Sequence, residues 1–76
     1  MEIKVLGTGC AGCKALYATV EQVVKEFSLE ATVDKEEDMV KIMEYGIMTL
    51  PALVVDGKVV AKGKLSAGEI KEILVG

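Results

Sequence analysis

The sequence predicts a small α/β fold with element order β-α-β-α-β-β-α, a mixed sheet covered by helices. Three observations point to it. An apolar run at residues 3–6, closed by Gly7, leads into a long stretch with helical spacing of its apolar residues. Asp56-Gly57 separates two short apolar runs, the strongest local signal for a hairpin with a type I′ turn. Ser66-Ala67-Gly68-Glu69 is a capping box, which opens a helix. At 76 residues, the expectation is one domain spanning residues 1–76.

Residues 3–6 read as a strand buried on both faces. From Ala11 to Phe27 the apolar residues fall at Leu16, Val20, Val23, Val24 and Phe27, a single stripe along one helix. Residues 29–33 alternate enough to predict the second strand. Asp34, with Glu37 three residues on, has the pattern of a helix cap, and Glu36, Glu37 and Asp38 load the positive end of the next helix. That helix carries Met39, Val40, Ile42 and Met43 and stops near Gly46. Residues 52–55 and 58–61 form the hairpin. The last helix follows Ser66, with Leu65 placed to staple against Ile70 and an apolar face of Ile70, Ile73 and Leu74.

Both cysteines of the chain lie in Gly7-Thr8-Gly9-Cys10-Ala11-Gly12-Cys13-Lys14, at the predicted start of the first helix. A helix start presents unpaired N–H groups and the positive end of the macrodipole. These stabilise a thiolate and so lower the pKa of a thiol placed there. Stepping back three residues from Leu16 puts Cys13 on the buried stripe, whereas Cys10 precedes the first turn and lies off it. The spacing therefore makes one sulfur accessible and shelters the other. A redox dithiol follows, with Cys10 attacking and Cys13 its partner. Lys14 is a candidate to stabilise a thiolate, and Tyr17, one turn beyond Cys13, either borders the site or packs as a structural residue.

Composition limits the alternatives. The chain is 51% apolar and 28% charged, with a net charge of −3 and no arginine, which argues against binding a phosphate backbone. With no histidine, Cys-His and Ser-His nucleophilic pairs are excluded. No apolar run approaches the ~18 residues of a membrane span, and the first residues lack the pattern of a secretory signal. The expectation is a cytoplasmic protein without a nucleic-acid or membrane partner, in a compartment where a Cys-x-x-Cys pair is catalytic or metal-binding rather than a structural staple. The alternative function is non-enzymatic binding of a soft ion such as Cu(I) by the two thiolates. Gly7-x-Gly9-x-x-Gly12 also matches a dinucleotide fingerprint, but two mononucleotide-binding halves do not fit in this length; these glycines read instead as flexibility and close approach around the dithiol.

A strand running into Cys10-Ala11-Gly12-Cys13 at a helix start, with Thr49-Leu50-Pro51 before a hairpin, resembles the thioredoxin superfamily. The likeness covers nearly the whole chain and is greatest to small thioredoxin/glutaredoxin-like redox-active disulfide proteins of prokaryotes. It implies a thioredoxin-like fold, a four-stranded mixed sheet with helices on both faces. It further implies a thiol–disulfide oxidoreductase or electron carrier in which Cys10 attacks a partner disulfide and Cys13 resolves the mixed disulfide. By the same resemblance Pro51 is the cis-proline facing the dithiol and Leu50 backbone groups pair with substrate. Gly9, Ala11, Gly12, Lys14 and Thr49 complete the surface that docks substrate and shapes the site. Gly9 stands where the family has an aromatic residue, and Ala11-Gly12 replaces its usual intervening pairs. The implied partners are a disulfide-containing protein or small molecule and a reductase; no cofactor is needed beyond the Cys10–Cys13 disulfide, and the chain is expected to be a monomer. The motif also resembles the heavy-metal-associated domain of copper carriers, but those run β-α-β-β-α-β and end on a strand.

Overall fold

The structure is a computed structural model and describes residues 1–9, 11–47, 50–63 and 65–75. Its elements run β1 Glu2–Leu6, α1 Ala11–Glu26, β2 Thr32–Glu36, α2 Met39–Met43, β3 Ala52–Val55, β4 Lys58–Lys62 and α3 Ala67–Leu74. The sheet order is β2-β1-β3-β4. β1 pairs in parallel with β2 and antiparallel with β3, and β3 pairs antiparallel with β4. The predicted element order and mixed sheet are thus the observed ones.

Strand alternation divides the core into two layers. Ile3, Val5 and Leu53 face Leu16, Val20 and Val23 of α1 and Ile70 and Leu74 of α3. Leu6, Ala52 and Val54 point the other way, against Ile42 of α2 and Ile47. Helices therefore cover both faces. The hairpin turn has positive φ at both central residues, 49° at Asp56 and 82° at Gly57, as a type I′ turn demands. Asp56 Oδ1 also accepts a 2.8 Å hydrogen bond from the Glu2 backbone N–H, tying the turn to the start of β1. A register shift between Leu53 and Val54 marks an irregularity in the β3–β4 ladder, and β4 continues to Lys62, one residue beyond the expected end. Ser66 and Glu69 form the capping box, and Leu65 packs in the same cluster as Ile70.

Four expectations are corrected. The second strand is not residues 29–33 but Thr32–Glu36, whose sequence TVDKE has no apolar alternation. It is an edge strand, placed by its parallel register with β1 (Glu2 against Thr32, Leu6 against Glu36) rather than by burial. Asp34 is consequently not a cap; it lies mid-strand opposite Lys4, and Asp38 caps α2, its Oδ1 accepting from the Val40 N–H at 2.9 Å. The apolar face expected on α2 is mostly exposed. Ile42 is buried, but Met39, Val40 and Met43 face solvent, because a helix of 5 residues meets the sheet with a single position. Ile73 and Phe27, expected on buried stripes, are also exposed.

Candidate active site

The antiparallel register of β1 and β3 assembles the site. Leu6 pairs with Ala52, so the segment leaving β1 and the segment entering β3 run side by side at one end of the sheet. Gly7 and Pro51, distant in sequence, thereby flank the same helix start. Parallel pairing of Leu6 with Glu36 brings the segment leaving β2 to the same end, where the Gly7 N–H donates to the Glu36 carbonyl at 3.0 Å.

Cys13 is the third residue of α1, inside its first turn, and is 5% exposed. It is disulfide-bonded. Cys10, the chain's other cysteine, lies outside the described residues, as do Met48 and Thr49. Burial of Cys13 agrees with the stripe read from Leu16. The first turn of α1 contains no acidic side chain, so nothing within the helix neutralises the positive end of its dipole.

Gly7 is the residue that seats Cys13. A Cβ at this position would overlap Cys13 Sγ and stand 2.7 Å from Cys13 Cβ. The absence of a side chain lets β1 end directly beneath the sulfur. Close approach around the dithiol is what the motif glycines predict; that Gly7 is the one meeting Cys13 is a contact between two elements. Gly12, in contrast, is half-buried, and a Cβ there would meet Pro51 Cδ at an ordinary 3.8 Å. The proline ring thus lies beside the first turn of α1.

Pro51 is buried, its peptide bond with Leu50 is cis, and its carbonyl accepts from the Gly63 N–H at 2.6 Å. Leu50 is half-buried against the α2-side core cluster. Ala11, Lys14 and Gly9 are exposed, Gly9 with φ of 86°, in the left-handed region where glycine is favoured. Tyr17 is half-buried, donates a long 3.5 Å hydrogen bond to the Val33 carbonyl and has Lys35 Nζ 5.0 Å above its ring.

A small pocket of about 40 Å³ opens beside the buried sulfur, lined by Val5, Gly7, Gly9, Cys13, Lys14, Lys35 and Glu37. Lys35 and Glu37 were not among the residues singled out for the site. Placing the second strand three residues early removed them from it, since only the observed register carries Glu36 to the end of β1. Of the residues expected at the site, Gly9, Cys13 and Lys14 line this pocket, while Gly12 and Pro51 lie beside each other at the same helix start.

The likeness to known proteins follows the same residues. A family model described as a thioredoxin domain matches residues 1–75. The chain belongs to the thioredoxin family. It is 41% identical over 75 residues to a thioredoxin of Methanothermobacter thermautotrophicus, covering 97% of each chain. It is 37% identical over 73 residues to a thioredoxin of Methanocaldococcus jannaschii, covering 95% of this chain and 84% of the relative. Among solved structures it is similar to chloroplastic thioredoxin z, with a TM-score of 0.67, 27% identity and coverage of 95% of this chain and 73% of that one. Membership of this family makes the chain a thiol–disulfide oxidoreductase, with disulfide-bearing partners and a reductase as its general counterparts. The copper-carrier reading lacks the required topology, since α2 separates β2 from the hairpin and α3 follows β4. No helix among the described residues is long and apolar enough to cross a membrane.

Proposed function

We propose that the chain exchanges disulfides through Cys10 and Cys13, with Cys10 as the attacking sulfur. The observation that carries this reading is the near-complete burial of Cys13 in the first turn of α1, against Gly7. A thiol so placed is poorly accessible to a partner but well placed to attack a sulfur bound in front of it. The Cys10 thiolate attacks one sulfur of the partner disulfide, forming a mixed disulfide and releasing the first partner thiolate. Cys13, as thiolate, then attacks Cys10; the Cys10–Cys13 bond forms, the mixed disulfide breaks, and the second thiolate leaves. Two electrons pass to the partner, whose thiolates take up two protons. A reductase that supplies two electrons to the Cys10–Cys13 bond resets the pair, and no further cofactor enters.

Leu50 backbone groups dock the partner beside Pro51, with Thr49, Gly9 and Ala11 shaping the approach. The chain works as a monomer in the cytoplasm, on protein or small-molecule disulfides, and engages neither nucleic acid nor membrane. The deciding experiment is trapping. Cys13→Ser is expected to accumulate a stable mixed disulfide through Cys10 with a model disulfide, seen as added mass on the intact protein. Accumulation instead in Cys10→Ser, through Cys13, would reverse the assignment of roles.

A further inference from the structure

Three charges line the pocket that Cys13 closes: Lys14 from α1, Lys35 from β2 and Glu37 from the segment between β2 and α2. They are not equivalent. Lys35 Nζ is held 5.0 Å over the Tyr17 ring, a turn further along α1. Glu37 Oε2 stands 3.4 Å from the point where a side chain on Gly9 would begin, on the loop that enters the helix. The neighbouring carboxylates are engaged in opening α2: Glu36 Oε2 accepts from the Asp38 N–H at 3.3 Å, and Asp38 Oδ1 from the Val40 N–H at 2.9 Å. Glu37 thus sets a negative charge on the motif loop, while α1 supplies no acidic residue of its own in its first turn.

We propose that Glu37 is a positioning charge for the redox couple, placed against Gly9 to disfavour thiolate at the pocket and so keep the cysteine pair more reducing. This rests on the disulfide-exchange reading given above. The physics has one sign. The helix N-terminus and Lys14 stabilise a thiolate, which favours the dithiol form once thiolate is populated. A carboxylate beside them opposes that and leaves the uncharged disulfide unaffected, so it moves the couple toward the disulfide and the protein toward being a stronger electron donor. The close approach depends on Gly9. A larger residue there would occupy the space beside Glu37 and adopt the positive φ only with strain.

The test is equilibration of the full chain with glutathione and glutathione disulfide. The cysteine pair loses two electrons and two protons as its disulfide forms, and glutathione disulfide takes both to give two glutathione molecules. Glu37→Gln is expected to shift this equilibrium about two- to fivefold toward the protein dithiol at about pH 8, the range open to one exposed charge. Glu37→Lys should move it further the same way, Glu37→Asp should retain most of the parental value, and Lys14→Gln should move it oppositely. The Glu37→Gln shift should shrink as the pH is lowered and the dithiol form holds less thiolate, and should shrink in high salt. An unchanged equilibrium in Glu37→Gln and Glu37→Lys, or an equal shift by Glu37→Asp, overturns the proposal while leaving disulfide exchange intact. A normal shift with glutathione in a chain whose Cys13→Ser variant traps no mixed disulfide through Cys10 overturns only the assignment of Cys10 as the attacking sulfur; failure to form any intramolecular disulfide ends both.

Discussion

Two glycines in the same motif behave in opposite ways, and the difference is steric. Gly7 is required by the sulfur above it, since any Cβ there overlaps Cys13. Gly7→Ala is therefore expected to displace Cys13 and slow closure of the intramolecular disulfide by about ten- to a hundredfold, the scale of a misplaced reacting group. Quenched-flow alkylation after addition of oxidant measures it. Gly12 has room for a methyl group, with Pro51 Cδ at 3.8 Å, and sits inside a helix where alanine is favoured. Gly12→Ala should leave closure intact and raise stability by up to about 1 kcal/mol, read by denaturant unfolding. An equal loss of closure rate in both variants would argue against steric seating of Cys13 by Gly7. Of the residues expected at the site, Cys13, Gly12, Lys14, Gly9 and Pro51 were legible from spacing or resemblance. Close approach by the motif glycines was legible too, whereas Lys35 and Glu37 were not, because each reaches the pocket from a different element.

Among the elements, the most legible were those specified by local chemistry. The Asp56-Gly57 turn and the Ser66/Glu69 capping box involve neighbouring residues, so their signals are complete within a few positions. Ser66→Ala removes the acceptor for the Glu69 N–H, bonded at 3.3 Å, and is expected to destabilise the fold by about 1 kcal/mol. In a domain of this size that is a fall of roughly 4–8 °C in Tm, measurable by circular dichroism. β2 failed for the opposite reason. As an edge strand of charged and polar residues it carries little hydrophobic periodicity, and its charges suit an unpaired sheet edge. Its limits come from hydrogen bonding to β1, which no local pattern encodes. α2 was found but its burial was misjudged: four apolar residues suggest a packed face, yet only Ile42 reaches the core.

At the scale of the molecule, the sheet is sandwiched so that α1 and α3 share one face and α2 and the loop at Ile47 take the other. Leu53 lies at the centre of the first layer and is fully buried between strand and helices. Leu53→Ala is expected to lose about 2–5 kcal/mol. Against a total of roughly 4–11 kcal/mol for a chain of this length, that brings a large drop in the unfolding midpoint. A loss below about 1 kcal/mol would mean the layer repacks around the cavity rather than being held by α1 and α3 together. Because β1 ends under Cys13 and β3 begins at Pro51, loosening this core should also loosen the site.

The sequence by itself determined the element order, the hairpin turn, the cap of α3 and the placement of a cysteine pair at a helix start. Each of these is written in residues adjacent along the chain or one helical turn apart. Only the tertiary structure decided which strand end meets which. The Leu6–Ala52 and Leu6–Glu36 pairings bring Pro51 and Glu37 to the motif, and strand register is fixed by cooperative hydrogen bonding and packing across the sheet rather than by any single segment.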